Sequence, residues 1–113
     1  MSAITTHVLD TSRGCPAAGV EIELEYLDAH DNWTPIGRGV TDADGRLRTL
    51  MPAGIRPVPG TYRLVFETAA YFASDGRESF FPRVAVIFKV GDAPHYHVPL
   101  LLSPFGYSTY RGS

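Results

Sequence analysis

The chain has 113 residues, enough for one ordinary domain, of which 44% are hydrophobic and 19% charged. That balance supports a packed core and argues against disorder. Ten Lys and Arg stand against twelve Asp and Glu, a formal net charge of -2, so the clustered positive charge of a nucleic-acid surface is missing. No apolar run approaches the roughly 18–20 residues of a membrane-spanning helix. The segment Met1 to His7 has neither the basic region nor the apolar stretch of a secretory leader. The one cysteine, Cys15, can neither close an internal disulfide nor hold a metal alone. These counts point to a soluble, cytoplasmic protein, one domain over residues 1–113, with no nucleic-acid or membrane partner.

Gly and Pro are spread over the whole length and punctuate short elements that alternate with period two. Ile4, Thr6 and Val8 oppose Thr5, His7 and Leu9 in a first strand. Val20, Ile22, Leu24 and Tyr26 share one face and Glu21, Glu23 and Glu25 the other, which predicts a half-exposed antiparallel strand. A further strand is expected roughly from Ile36 to Thr41, then a tight turn Thr41-Asp42-Ala43-Asp44-Gly45 into a strand Arg46 to Leu50. Pro52 to Gly60 is too rich in breakers for regular structure. Tyr62, Leu64 and Phe66 resume the alternation. Thr68 to Ala73 then reads as about two turns of helix ended near Gly76, with an irregular loop as the alternative. Val84, Val86, Phe88 and Val90 share one strand face. His95 to Leu102 is extended, with Pro99 pushing it toward a sheet edge or a bulge. Gly106 to Tyr110 makes a last short strand. Seven or eight short strands with such turns predict an all-β sandwich.

The strong chemical motifs are absent: no phosphate-cradling Gly-rich loop with its Lys, no paired Cys ligands, no Ser nucleophile elbow. Asn32-Trp33-Thr34 matches a glycosylation acceptor by chance. His30 sits in a polar turn and reads as solvated. His95 and His97, two apart on an extended segment, point to one face. Metal ligation (which needs a third ligand), acid–base chemistry and plain surface exposure all stay open for this pair. His7 suits the wall of a channel or interface, or a satisfied core position. Arg46, first in its strand, either aims a fixed positive charge across the sheet or faces solvent. Tyr110 and Arg111 are unusual residues for a terminus that should fray.

The segment His95-Tyr96-His97-Val98-Pro99-Leu100-Leu101-Leu102-Ser103-Pro104-Phe105-Gly106-Tyr107-Ser108-Thr109-Tyr110-Arg111-Gly112-Ser113 closely resembles the C-terminal signature of the 5-hydroxyisourate hydrolases. These are the transthyretin-like enzymes of uric acid breakdown, and the terminal Tyr-Arg-Gly-Ser is their most specific mark. Thr6-His7-Val8-Leu9-Asp10, Thr41-Asp42-Ala43-Asp44-Gly45-Arg46 and Glu78-Ser79-Phe80-Phe81-Pro82 agree, so the likeness covers essentially the whole chain. It implies an eight-stranded transthyretin-like β-sandwich with one short helix, assembled as a homotetramer with substrate sites in a channel between dimers. It also implies His7, Arg46 and His97 as catalytic groups, the choice of His97 over His95 resting on that match. His7, Arg46, Tyr110, Arg111, Gly112 and Ser113 would bind substrate.

The implied reaction is hydrolysis of 5-hydroxyisourate to 2-oxo-4-hydroxy-4-carboxy-5-ureidoimidazoline, on the way from uric acid to allantoin. Water attacking a ring carbonyl at neutral pH needs a base with a pKa near 7, which an imidazole from His7 or His97 supplies. Charge developing on the carbonyl oxygen or the departing nitrogen needs fixed donors, and the planar fork of Arg46 is one. No metal, nucleophile or organic cofactor is called for. The alternatives are a transthyretin-like small-molecule carrier without turnover, and an adhesive β-sandwich in which all four histidines are incidental. The pairing of His7 with Arg46 speaks against an apolar carrier channel.

Overall fold

Residues 2–113 are described by the structure, a computed structural model; Met1, the first residue of the span read as one domain, lies outside the described residues. In chain order the elements are β1 (Ile4–Asp10), β2 (Cys15–Pro16), β3 (Glu21–Leu27), β4 (Trp33–Val40), β5 (Arg46–Leu47), β6 (Gly60–Phe66), α1 (Thr68–Ala73), β7 (Val84–Val90), β8 (Tyr96–Ser103) and β9 (Gly106–Thr109). One sheet runs β2-β1-β8-β9, with β5 also pairing β1; the other runs β4-β3-β6-β7. The expected sandwich with one short helix is what the strands build. Cys15–Pro16 adds a two-residue segment against Leu9–Asp10 that periodicity cannot show.

Period-two alternation sets the core. Ile4, Val8, Ile22, Leu24, Tyr62, Leu64, Phe66, Val84, Val86, Leu100 and Leu102 pack inward, each buried, and the helix adds Phe72. Leu100 and Leu102 are therefore core, and only Leu101 of the apolar run turns outward, half-buried. The strand expected from Arg46 to Leu50 is shorter: only Arg46 and Leu47 pair with β1, opposite His7 and Thr6.

Two pairings position the face described below. The first is parallel, β1 against β8, and sets Thr5 opposite His97 and His7 opposite Pro99. Pro99 thus lies inside a central strand, neither at an edge nor at a bulge. It is tolerated because its missing N–H falls on the β9 side, just past Leu100↔Thr109 where that ladder ends. The Pro99 carbonyl on that side accepts the Thr109 hydroxyl at 2.7 Å.

The second pairing, β5 against β1, sets Arg46 opposite His7. The turn before it is fixed by Asp42, whose carboxylate accepts the backbone N–H groups of Asp44 at 2.9 Å and Arg46 at 3.0 Å. Gly45 completes the turn at φ +74, and a Cβ there would lie 2.4 Å from the Val8 carbonyl oxygen. Only glycine lets this turn approach β1 so closely.

Candidate active site

The outer face of the β1–β8 sheet gathers most of the residues singled out from the sequence. Thr5 and His7 come from β1, Arg46 from β5 and His97 from β8, with His95 just before that strand. His7, Arg46, His95 and His97 are half-buried, and Thr5 beneath the histidines is buried.

The His95 and His97 rings lie nearly parallel, 13° apart, with centroids separated by 6.4 Å, as same-face residues two apart should be. Both hydrogen bond one hydroxyl: Thr5 Oγ1 is 3.0 Å from His95 Nε2 and 2.8 Å from His97 Nδ1. With Nδ1 engaged, Nε2 is the nitrogen His97 offers a ligand. Burial pushes the His97 pKa below the usual imidazole value, and the positive charges of Arg46, His95 and His7 push it further the same way. Both effects favour the neutral imidazole, the form a general base needs. His30 stays in its exposed turn, away from this face.

The C-terminal tail does not fray. The Gly112 N–H donates to the His97 carbonyl at 2.8 Å, an isolated antiparallel bridge that continues the sheet beyond β9. A Cβ on Gly112 would come within 2.6 Å of His97 Cδ2 and 3.2 Å of Pro99 Cγ, so the glycine lets the tail lie against the imidazole edge. The Arg111 guanidinium sits 4.9 Å from the centroid of the Tyr96 ring, and this cation–π contact anchors the tail from the other side. Tyr96 is itself fixed, its hydroxyl accepting the backbone N–H groups of Gly91 at 2.7 Å and Ala93 at 3.1 Å. Tyr110 and Ser113 are exposed at the ends of this short clamp.

Thr5 is the site residue that sequence reasoning passed over. It was visible only as one member of a half-polar strand face, and its partners lie 90 and 92 positions away. A hollow of about 580 Å³ lies on the opposite sheet. Six of its seven charged groups pair with one another, Glu23 with Arg38, Glu25 with Arg63 and Glu67 with Arg83, and the seventh, Glu21, is exposed. The imidazoles of His7, His95 and His97 lie on the histidine face instead.

Fold and site together define a two-sheet sandwich carrying three histidines and an arginine on an outer sheet face, under a glycine-containing tail. Residues 4–112 match the HIUase/Transthyretin family, and the chain belongs to it. A Caenorhabditis elegans protein named a probable 5-hydroxyisourate hydrolase is 51% identical over 113 residues, 99% of this chain and 82% of that one. The structure of Klebsiella pneumoniae 5-hydroxyisourate hydrolase superposes with a TM-score of 0.87 at 42% identity, covering all of both chains. Transthyretin from Sparus aurata superposes with a TM-score of 0.91 at 34% identity, covering 99% of this chain and 97% of that one. Among the described residues no helix is long and apolar enough to cross a membrane.

Proposed function

We propose that the chain hydrolyses 5-hydroxyisourate to 2-oxo-4-hydroxy-4-carboxy-5-ureidoimidazoline, within uric acid degradation, with His97 as general base. The observation that carries this reading is the setting of His97, which is held through Nδ1 by Thr5 on the sheet face that also carries Arg46 and His7. Nε2 takes a proton from water as the water attacks the ring carbonyl. Arg46 binds the polar substrate and stabilises negative charge as it develops on the carbonyl oxygen. His7, in register with Arg46 on β1, completes the polar wall and hydrogen bonds the ring. Tyr110, Arg111, Gly112 and Ser113 close the site: Arg111 holds the tail in place, Gly112 lets it touch His97, and Tyr110 and Ser113 face the ligand. The fixed guanidinium supplies the charge stabilisation, so no metal or cofactor is assigned.

The reading includes a homotetramer. In one copy the histidine face is open, and a shared channel gives the enclosed walls that make a fixed charge effective. β7 and β9 end their sheets with unpaired backbone edges. The exposed apolar side chains Phe80, Ile87, Phe105 and Tyr107 lie on or beside those edges. A second copy would pair and cover both. Residues 1–113 act as one domain, and the exposed thiol of Cys15 suits the reducing cytoplasm.

The test is the decay of freshly generated 5-hydroxyisourate absorbance on adding the pure protein, against the slow spontaneous background. Turnover supports the hydrolase; saturable binding of the compound with no acceleration would leave a carrier. Light scattering should find four copies at micromolar concentration, and a monomer would contradict the shared channel. Chelator should leave the rate unchanged; loss of activity restored by zinc would contradict the metal-free base.

A further inference from the structure

His95 has no part in the mechanism above, yet its ring nitrogen meets the same buried hydroxyl as His97. A threonine hydroxyl has one proton to donate, so the chain His97 Nδ1···Thr5 Oγ1···His95 Nε2 has two self-consistent polarities. In the first, His97 Nδ1–H donates to Thr5 and the Thr5 hydroxyl donates to His95 Nε2. His97 Nε2 then carries a lone pair and is ready as a base. In the second, every donor is reversed: His95 Nε2–H donates to Thr5, Thr5 donates to His97 Nδ1, and His97 Nε2 carries the proton, ready as an acid.

We propose that Thr5 and His95 form a proton relay that fixes the tautomer of His97 and converts it from base to acid within one turnover. The proposal rests on the reading of His97 as general base. In the first step, water loses a proton to His97 Nε2 as its oxygen bonds to the ring carbonyl carbon. The Nδ1 proton then passes to Thr5 Oγ1 while the hydroxyl proton of Thr5 passes to His95 Nε2. His97 is left neutral with its proton on Nε2, and the positive charge has moved to His95. In the second step, Nε2 gives that proton to the departing ring nitrogen as the carbon–nitrogen bond breaks. Thr5 returns a proton to Nδ1, His95 returns its own to Thr5, and the chain is back in its first polarity.

The surroundings explain why such a step is useful. An imidazolium on His97 is opposed by its own burial and by the charges of Arg46, His95 and His7. His95 instead lines a separate open cleft with Ser2, Ala3, Gly54, Ile55, Arg56 and Pro94. In that cleft the Arg56 guanidinium is engaged with the Asp92 carbonyl at 2.7 Å. The bridge itself is rigid. Thr5 is buried at 3% exposure, and the parallel register fixes it opposite His97. Thr5 and His95 are positioning residues in this scheme, since neither touches the substrate.

The test compares kcat, KM and the imidazole nitrogen NMR signals of His97 in the full-length protein and four variants. The wild type should show a single His97 tautomer protonated at Nδ1. Thr5→Val should lower kcat about 10–100-fold with KM little changed, and should leave His97 in mixed tautomers. Thr5→Ser, which keeps the hydroxyl, should recover most of the rate and the single tautomer. His95→Phe should loosen the tautomer as well, because the Thr5 hydroxyl, without its His95 acceptor, can donate to Nδ1 itself. It should lose rate about 10-fold, and added imidazole buffer should restore it. His97→Asn separates the two claims. If it abolishes turnover while Thr5→Val and His95→Phe keep wild-type kcat, the relay is wrong and the base reading stands. If His97→Asn keeps its rate, both fall. A wild-type His97 protonated at Nε2, or a His95→Phe defect that imidazole does not repair, also overturns the relay.

Discussion

Strand β1 carries two ionic clusters three residues apart, and they are built on opposite electrostatic plans. At its C-terminal end Asp10 is fully buried, and its carboxylate accepts from Arg77 Nη2 at 2.8 Å, the Tyr71 hydroxyl at 2.8 Å and the Ser12 hydroxyl at 2.6 Å. Burial alone would raise the Asp10 pKa, but these donors and the Arg77 charge outweigh it and hold the carboxyl at about 2. Asp10 and Asp75 in turn push the Arg77 pKa upward, so each charge reinforces its partner's. At the other cluster the groups are His7, Arg46, His95 and His97, all cationic or able to become so. There burial and the neighbouring positive charges together lower the His97 pKa and disfavour its imidazolium.

The difference separates a stabilising cluster from a reactive one. Complementary charges with full hydrogen bonding tie β1 to the end of α1 and leave nothing to titrate near neutral pH. Arg77 reinforces the tie by lying 4.9 Å from the Phe72 ring centroid. Like charges gathered on an open face are a structural cost, and they leave an imidazole with an unspent nitrogen. Losing a partner should therefore damage folding at the first cluster and chemistry at the second.

The largest expected effect tests the first half of that statement. Asp10→Asn leaves Arg77 without its buried counter-charge and should cost about 3–5 kcal/mol of stability in chemical denaturation. Turnover of the folded fraction should be unchanged, because Asp10 lies in the other cluster. His97→Asn should do the reverse, lowering kcat by about 10³ with a normal melting curve. Unequal loss of stability in this variant would mean that the histidine cluster is structural after all.

Deleting Tyr110 to Ser113 should come next, lowering turnover by about 10² while assembly persists, since the tail adds donors and one wall but no core side chain. Full turnover by the truncated tetramer would refute the tail's role. The smallest effect is the acid response of the wild type. The Asp10 carboxyl titrates near 2 in the fold and at 3.8 in its ordinary state, so its contribution is complete above about pH 4. It should fade as the pH falls from about 4 to about 2, a loss of about 2 kcal/mol that Asp10→Asn does not show.

How much of this was legible in the sequence differs between the clusters and the sheets. Alternation at Ile22, Leu24 and Tyr62 to Phe66 gave the strands because one buried face leaves a period-two trace. The Asp42-Ala43-Asp44-Gly45 turn was legible because its backbone needs those residue types. His7, Arg46 and His97 could be singled out by chemistry, and the family resemblance joined them. The Thr5 bridge and the Asp10–Arg77 tie could not be read, because both pair residues more than 60 positions apart. Asp10 stood out in the sequence only as the last residue of the stretch Thr6 to Asp10 that agrees with the family, and the parallel pairing that brings Thr5 under His97 has no local signature. Pro99 misled for the same reason: its cost depends on where β9 stops, which is a tertiary fact.

The central claim is that burial and the like charges on the sheet face lower the His97 pKa and favour its neutral form, and titrating His97 by NMR in the wild type and in Arg46→Gln tests it most directly. The wild-type midpoint should lie below the ordinary 6.5, and removing the Arg46 charge should move it upward. The acid limb of the kcat/KM profile should follow it to higher pH. A wild-type midpoint at or above 6.5 that does not move in Arg46→Gln would contradict the account.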